Sequence, residues 1–277
     1  MLGEFVKEKS YSPSDHTFVI CAYGESAYIE DCIQSIKEQK LKSRIVIATS
    51  TPSSFLEGIA EKYNIRLFIN EEKAYKSNIA ADWNYAVSMA GTPLVTIAHQ
   101  DDIYKPDYLN KVLENINRAK HPLIAFTDYA ELRNGEEITH IRNLIIKRVL
   151  LFPLRCRALW NSIFIRRRIL SLGSPICCPS VTYVKQDLPE QLFVPGYKVN
   201  LDWQAWERFS RLKGEFIFVN DILMAHRIHD GSETSRNIED NNRTAEDLDM
   251  FRKFWPEWMA RIIEHWYRKS EVQNNLD

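Results

Sequence analysis

Between residues 17 and 98 the chain alternates two hydrophobic periods, and no other feature limits its fold as much. Short apolar runs stand at Thr17-Phe18-Val19-Ile20-Cys21 and at 44–48, 65–69 and 94–98. Between them, Ile29, Cys32, Ile33 and Ile36 recur at helical spacing within 26–39, residues 55–63 read as a second helix, and Ile79, Trp83, Ala86, Val87 and Ala90 share one side of a third over 78–90. Strand and helix in turn predict an α/β protein, with a mostly parallel sheet flanked by helices on both faces. Ligands of such sheets bind outside the carboxyl ends of the strands. The loops Ala22-Tyr23-Gly24-Glu25-Ser26, Thr49-Ser50-Thr51-Pro52 and His99-Gln100-Asp101-Asp102 should therefore converge on one edge.

The fourth apolar run stops on Asp101-Asp102 and is followed by Ile103-Tyr104-Lys105-Pro106. Adjacent carboxylates at the end of a buried strand repel each other and call for a compensating cation, most simply a divalent metal serving a phosphate-bearing ligand. The plain alternative is a solvated acidic turn capping the helix after Pro106. Gly24 allows a tight turn, and the region of Ser26 opens a helix whose amides face a possible anion. No G-x-G-x-x-G follows the first strand and no Walker lysine loop exists, which removes the main support for dinucleotide and P-loop readings.

Other classes fall on composition. Lys and Arg number 36 against 37 Asp and Glu, a balance unlike that of a dedicated nucleic-acid binder. Cys21, Cys32, Cys156, Cys177 and Cys178 form no C-x-x-C pair and leave one over, so neither zinc site nor disulfide framework is signalled and a reducing compartment is expected. The first residues, 1–14, lack the apolar core of a secretory signal, and the longest apolar region, 144–154, is split by Lys147-Arg148 and too short to span a bilayer.

The ordered set Phe18-Val19-Ile20-Cys21-Ala22-Tyr23-Gly24-Glu25-Ser26, Asn70-Glu71, Ala81-Asp82-Trp83-Asn84-Tyr85-Ala86 and His99-Gln100-Asp101-Asp102 resembles the nucleotide-sugar half of family 2 glycosyltransferases, which have the GT-A fold. Leu201-Asp202-Trp203-Gln204-Ala205-Trp206 and His226-Arg227-Ile228-His229-Asp230-Gly231-Ser232 match the acceptor-side motifs in the same order. The resemblance implies a GT-A-like domain over residues 1–235, its donor half at about 16–128 and its acceptor half at about 129–235, with a helical C-terminal extension over 236–277. It implies a nucleotide-diphosphate sugar donor, a divalent Mn²⁺ or Mg²⁺ cofactor, and a glycan or lipid-linked sugar acceptor in cell-surface polysaccharide assembly on the cytoplasmic face of the membrane. Carried over residue by residue, Asp101 and His229 would ligate the metal, and Asp202 would be the base that deprotonates the acceptor hydroxyl during inversion. Ala22, Tyr23, Glu25, Thr49, Asn84, His99, Asp102 and Arg227 would bind the donor, with Arg227 on phosphate.

Three departures shape this expectation. His99 stands where the family often has the first acid of Asp-X-Asp, Thr49-Ser50-Thr51 replaces the paired acids of the base pocket, and the Gln-x-x-Arg-Trp of processive synthases is absent. Single-sugar transfer is expected. Asp202 also reads as a helix N-cap, and His226 and His229, three apart at the end of a strand, should point to opposite sides. A nucleotidyltransferase and a non-catalytic sugar-nucleotide binder are the competing functions.

Outside these motifs, residues 138–186 carry nine Lys and Arg and no acid. With the apolar residues among them, 142–168 read as an amphipathic basic segment suited to an anionic membrane surface, or else as a solvated face or acceptor groove. Residues 240–269 place acids early and bases late around Pro256, the charge order of two helices packed on the core.

Overall fold

The computed structural model describes residues 10–74, 77–229 and 242–274. Its first part follows the alternation: β1 (His16–Ala22), α1 (Ile29–Lys37), β2 (Arg44–Thr49), α2 (Ser54–Tyr63), β3 (Arg66–Ile69), α3 (Ile79–Met89) and β4 (Leu94–His99). Beyond it come β5 (Ile103–Tyr104), α4 (Tyr108–Ile116), β6 (Pro122–Arg133), β7 (Glu136–Ile138), α5 (Arg142–Leu151), α6 (Ile163–Ile169), β8 (Val181–Val184), α7 (Leu201–Ser210) and β9 (Glu215–Ile228). Two helices close the chain, α8 (Asn242–Arg252) and α9 (Glu257–Asn274), separated at Pro256 as expected.

All strands join one sheet in the order β3-β2-β1-β4-β8-β6-β9-β5, with β7 on the edge of β6. The four strands read from the alternation pair in parallel. Parallel strands are covered on both faces, which is why β1 is apolar almost throughout and buried along nearly its whole length. The later half is mixed: β8 runs antiparallel to β4 and β6, while the two longest strands, β6 and β9, run parallel. No periodicity at 181–184 announced β8, since its four residues are all buried and carry no alternation.

Buried hydroxyls and one imidazole cross the sheet without leaving a polar group stranded. His16 Nε2 lies 2.9 Å from Thr96 Oγ1, and Thr96 Oγ1 lies 2.7 Å from Thr182 Oγ1. Burial lowers the pKa of His16 to about 3, so the ring is a neutral core group. The ends of α1 and α3 come one to three residues inside the expected spans, while α2 begins one residue earlier: α1 begins at Ile29 and α3 is capped by Asn78, whose Oδ1 accepts the Ala81 N–H at 3.0 Å. All five cysteines are free thiols. No helix among the described residues is long and apolar enough to cross a membrane.

Candidate active site

Register brings the three expected loops together. Cys21 on β1 pairs with His99 on β4, and Ala22 pairs with Thr49 on β2, so these strand ends lie side by side. After the turn at 100–102 the chain re-enters the sheet as β5, antiparallel to β9 with Ile103 opposite Ala225. That register sets Asp102 beside His226.

Asp102 is fully buried. Its Oδ1 accepts hydrogen bonds from His226 Nδ1 and the Arg227 backbone N–H, both at 2.9 Å, while Oδ2 lies 3.8 Å from His99 Nδ1 with no hydrogen-bond partner. Desolvation pushes this carboxyl upward, but His226, His99 and the Arg227 N–H outweigh it and hold the group below the usual carboxylate range. Burial lowers His226, and Asp102 more than reverses that, carrying the imidazole up to about 9. Asp101 is less enclosed; its Oδ2 accepts from His229 Nε2 at 2.9 Å. The Arg227 guanidinium donates to the Asp101 carbonyl at 2.8 Å and to Asp31 at 3.1 Å, and lies 4.2 Å from the Tyr28 ring centre.

Both histidines therefore meet the acid pair, contrary to the expectation that they face opposite sides. The pleat explains this, because β9 ends at Ile228 and His229 escapes its alternation. Part of the positive charge expected from a metal is supplied by the protein, through His226 on Asp102. His226 is the site residue that sequence reasoning missed, having been read as a polar strand end.

The remaining donor-side residues divide. Gln100 fastens Tyr23 at both backbone groups, accepting its N–H at 3.2 Å and donating to its carbonyl at 2.9 Å, with the Tyr23 ring exposed. Gly24 adopts φ +62°, a left-handed conformation that favours glycine, and its N–H reaches Thr51 Oγ1 at 2.7 Å. Thr49 accepts the Thr51 N–H at 3.0 Å, so its hydroxyl serves its own loop. Ala22 is buried beneath and Glu25 lies exposed on the loop. Asn84 departs from expectation: its amide donates to the Phe193 carbonyl at 2.6 Å and accepts the Phe193 N–H at 3.1 Å, which makes it a brace for the 193 segment. His99 stacks on Trp83 with ring centres 5.3 Å apart and planes at 25°, and burial lowers its pKa. His99 Nε2, Ser50 Oγ, Asp82 Oδ1 and Asp102 Oδ2 are all buried without hydrogen-bond partners. Such atoms each cost about 1–3 kcal/mol if nothing satisfies them, and their gathering near the strand ends suits a polar ligand.

Asp202 is the second residue of α7; the N-cap position belongs to Asn200, not to Asp202. Its Oδ1 accepts the Trp203 N–H at 2.6 Å. Desolvation raises its pKa to about 6, against the opposing pull of that N–H and of Lys147. The helix start is held from α8: Glu246 accepts the N–H groups of Lys198, Val199 and Asn200 at 2.8, 2.9 and 3.0 Å, and Asp247 Oδ1 accepts from Asn200 Nδ2 at 2.7 Å. Sequence offered Glu246 only as an early acid favouring its own helix dipole. The Cys177 thiol, raised by burial, lies in the electrostatic field of both Asp102 and Asp202, so the two carboxylate regions border one stretch of chain.

The donor set fits a hard divalent ion. His99, Asp101 and Asp102 each present a ligand atom within 4.8 Å of the others, His229 adjoins Asp101, and Asp102 Oδ2 is an orphaned buried oxygen among them.

The comparisons with known proteins agree with this architecture. Residues 17–193 match the description "Glycosyl transferase family 2". An uncharacterized glycosyltransferase of Haemophilus influenzae is 24% identical over 242 residues, covering 83% of this chain and 70% of that protein. Among solved structures, S. aureus TarS in complex with UDP-GlcNAc superposes with a TM-score of 0.63 at 15% identity, covering 91% of this chain and 71% of that one. Glucosyl-3-phosphoglycerate synthase from Mycobacterium tuberculosis, in complex with Mn²⁺, UDP-glucose and phosphoglyceric acid, gives a TM-score of 0.59 at 18% identity, covering 88% and 81%. At that identity the structures speak for the GT-A fold, which the mixed sheet and flanking helices reproduce, while the family match spans well over half of the chain. The protein is a glycosyltransferase, and its chain belongs to glycosyl transferase family 2.

Proposed function

We propose that this enzyme moves a single sugar from a nucleotide-diphosphate sugar to a glycan or lipid-linked acceptor, with inversion at the anomeric carbon and with the help of a divalent metal. The observation that carries this reading is the division of labour between the fully buried Asp102 and the half-buried Asp202. Asp102 is held ionised beside Asp101, whereas Asp202 titrates near 6 and so can both hold and release a proton close to neutral pH.

Asp202 would accept the proton of the acceptor hydroxyl as that oxygen attacks the anomeric carbon from the face opposite the diphosphate. One base and one displacement invert the centre. Asp101 and His229 would hold Mn²⁺ or Mg²⁺, with His99 and Asp102 alongside; the bound ion would neutralise the departing diphosphate. Arg227, already turned into this corner, would meet phosphate oxygens, and the unpaired Ser50 and His99 atoms would meet the donor. Family membership sets aside nucleotidyl transfer. We place the reaction in cell-surface polysaccharide assembly, at the cytoplasmic side of the membrane, with residues 142–168 against its inner face.

Slow donor hydrolysis with Mn²⁺ and a panel of sugar nucleotides tests the assignment. Asp101→Ala should abolish metal-dependent nucleotide binding, while Asp202→Ala should bind donor normally and lose turnover. Donor turnover that survives Asp202→Ala, or metal-dependent binding that survives Asp101→Ala, overturns the corresponding role.

A further inference from the structure

Most of the positive charge in residues 138–186 is committed within the fold. Lys147 donates to Tyr129 Oη at 2.7 Å, Arg148 to Asp128 at 2.7 Å, Arg167 to Glu207 at 2.6 Å, and Lys185 to the Ala90 carbonyl at 2.5 Å. Arg166 is buried and donates to the Leu212 carbonyl at 2.7 Å. Arg142, Arg155, Arg157 and Arg168 stand at the surface.

Near these four, on the same elements and on α9, apolar side chains stand largely in the open. Val149, Phe152, Phe164, Trp258 and Trp266 are each 63–67% exposed, a degree that burial in the core would never leave. Two helices each present an outward stripe: Ile145, Val149 and Phe152 on and just after α5, and Trp258, Ile262 and Trp266 on α9. On α6, the Arg168 guanidinium sits 5.3 Å from the Phe164 ring centre and 4.7 Å from that of Trp255, just before α9. The segment after α6 meets α9 and its approach, and α5 lies within reach of the same Tyr267. Trp255 Nε1 donates to the Ser171 carbonyl at 2.7 Å, the Tyr267 ring abuts Gly173, and the Tyr267 phenol lies within the electrostatic reach of Lys147 on α5.

We propose that the joined outer faces of α5, α6 and α9 dock on the surface of a bilayer containing anionic lipid. Charge complementarity selects this occupant. No Asp or Glu occurs from 138 to 186, so lipid phosphates approaching α5 and α6 meet arginines without a repelling carboxylate. On α9, Glu257 is paired with Arg252 and Arg261, and the Lys269 ammonium lies 5.2 Å from the Trp266 ring centre. Tryptophan suits the headgroup level, where its ring enters the apolar boundary and its N–H stays with polar groups. The helices lie in the interface and do not span it.

The position of this face names the acceptor. α5 hangs from the middle of β6 through Arg148–Asp128 and Lys147–Tyr129, β6 runs beside β9, and Lys147 also acts on Asp202. A bilayer here would present a lipid-linked acceptor to the base. That last step rests on the transfer reading above; the docking surface does not.

Co-sedimentation of the full chain with vesicles of phosphatidylglycerol and phosphatidylcholine, against phosphatidylcholine alone, is the test. Binding should require the anionic lipid and fade at high salt. The pair Arg155→Ser, Arg157→Ser should weaken partitioning roughly thirty-fold, as expected from on the order of 1 kcal/mol per basic residue. The pair Trp258→Ser, Trp266→Ser should weaken it at every salt concentration, with circular dichroism and donor hydrolysis in solution unchanged. Equal sedimentation with both vesicle types, or none with either, overturns the proposal. So does a lipid-free dimer, seen by light scattering and dissolved by Val149→Ser with Phe152→Ser, since a second copy would then own the face. Vesicle binding by a chain that never hydrolyses any donor would leave the surface standing and sink the transfer reading instead.

Discussion

Asp102, just past the end of β4, leaves water entirely on folding and Asp202, at the start of α7, leaves it in part, and their neighbours divide them further. Around Asp102 stand two imidazoles and a backbone N–H, enough to outweigh desolvation and keep the carboxylate charged. Asp202 has one hydrogen bond from its own helix, the Trp203 N–H, and the more distant charge of Lys147 on α5. Desolvation wins there, and the carboxyl rises to about 6. One residue type thus serves as a fixed anion in one region and as a proton acceptor in the other, and what decides is the number of donors that reach it.

Removing the acceptor should give the largest effect. Asp202→Asn keeps the shape and the contact with the Trp203 N–H, and should lower kcat by roughly 10²–10⁴-fold, the usual contribution of a general base. Donor affinity, measured by calorimetry with Mn²⁺, should not change. If affinity fell and kcat held, Asp202 would belong with the donor corner and the contrast between the two acids would break.

Breaking the clamp on the anion comes next. His226→Ala strands a buried carboxylate and should destabilise the protein by about 3–5 kcal/mol in urea unfolding. His226→Asn, whose amide can replace the Nδ1–H, should recover part of that loss. The pair stabilises over a window: its share from His226 is full below the unfolded histidine pKa and is lost as pH rises through about 9, and its share from Asp102 is lost as pH falls through a lowered carboxylate pKa. A loss well under 1 kcal/mol for His226→Ala would mean that Asp102 is neutralised by something other than this histidine.

The two regions also differ in how far sequence could read them. The parallel half was legible because buried parallel strands and amphipathic helices have different periods, and those periods placed Ala22, Thr49 and His99 on one edge before any contact was known. The acid pair could be read as a charge in need of a partner. Its partner could not, because His226 meets Asp102 through the pairing of Ile103 with Ala225, a register between residues far apart in the chain. The support of Asp202 was hidden in the same way: Glu246 reaches the start of α7 across the fold. In 142–168 composition showed the charge, but only packing showed that Lys147, Arg148, Arg166 and Arg167 turn inward.

Protonation offers a finer comparison. Asp202 is neutral in both folded and unfolded chains at low pH, becomes costly to fold as pH rises through the unfolded carboxyl value, and carries its full cost above about 6. Asp202→Asn should therefore be more stable than the parent at pH 7, by at most about 3 kcal/mol for a shift of some two pKa units, and equal to it at low pH. In the parent, kcat/KM should fall with unit slope below about pH 6. A flat profile across that pH would show that the base, if Asp202, is far better solvated than its surroundings indicate.

The smallest effect tests whether the two regions are independent. Glu246→Gln removes the charge that the Lys198, Val199 and Asn200 N–H groups share but leaves an amide oxygen in its place. The cost should be about 0.5–2 kcal/mol, the scale of a helix cap. Because that loss loosens the start of α7 and touches nothing at the end of β4, kcat should drop modestly while metal-dependent nucleotide binding holds. Combined with His226→Ala, the two stability losses should add to within about 0.5 kcal/mol, as distant sites without shared partners do. A larger coupling would mean that the fixed anion and the proton acceptor are held by one network, and that the contrast between them is maintained jointly and not built separately in each region.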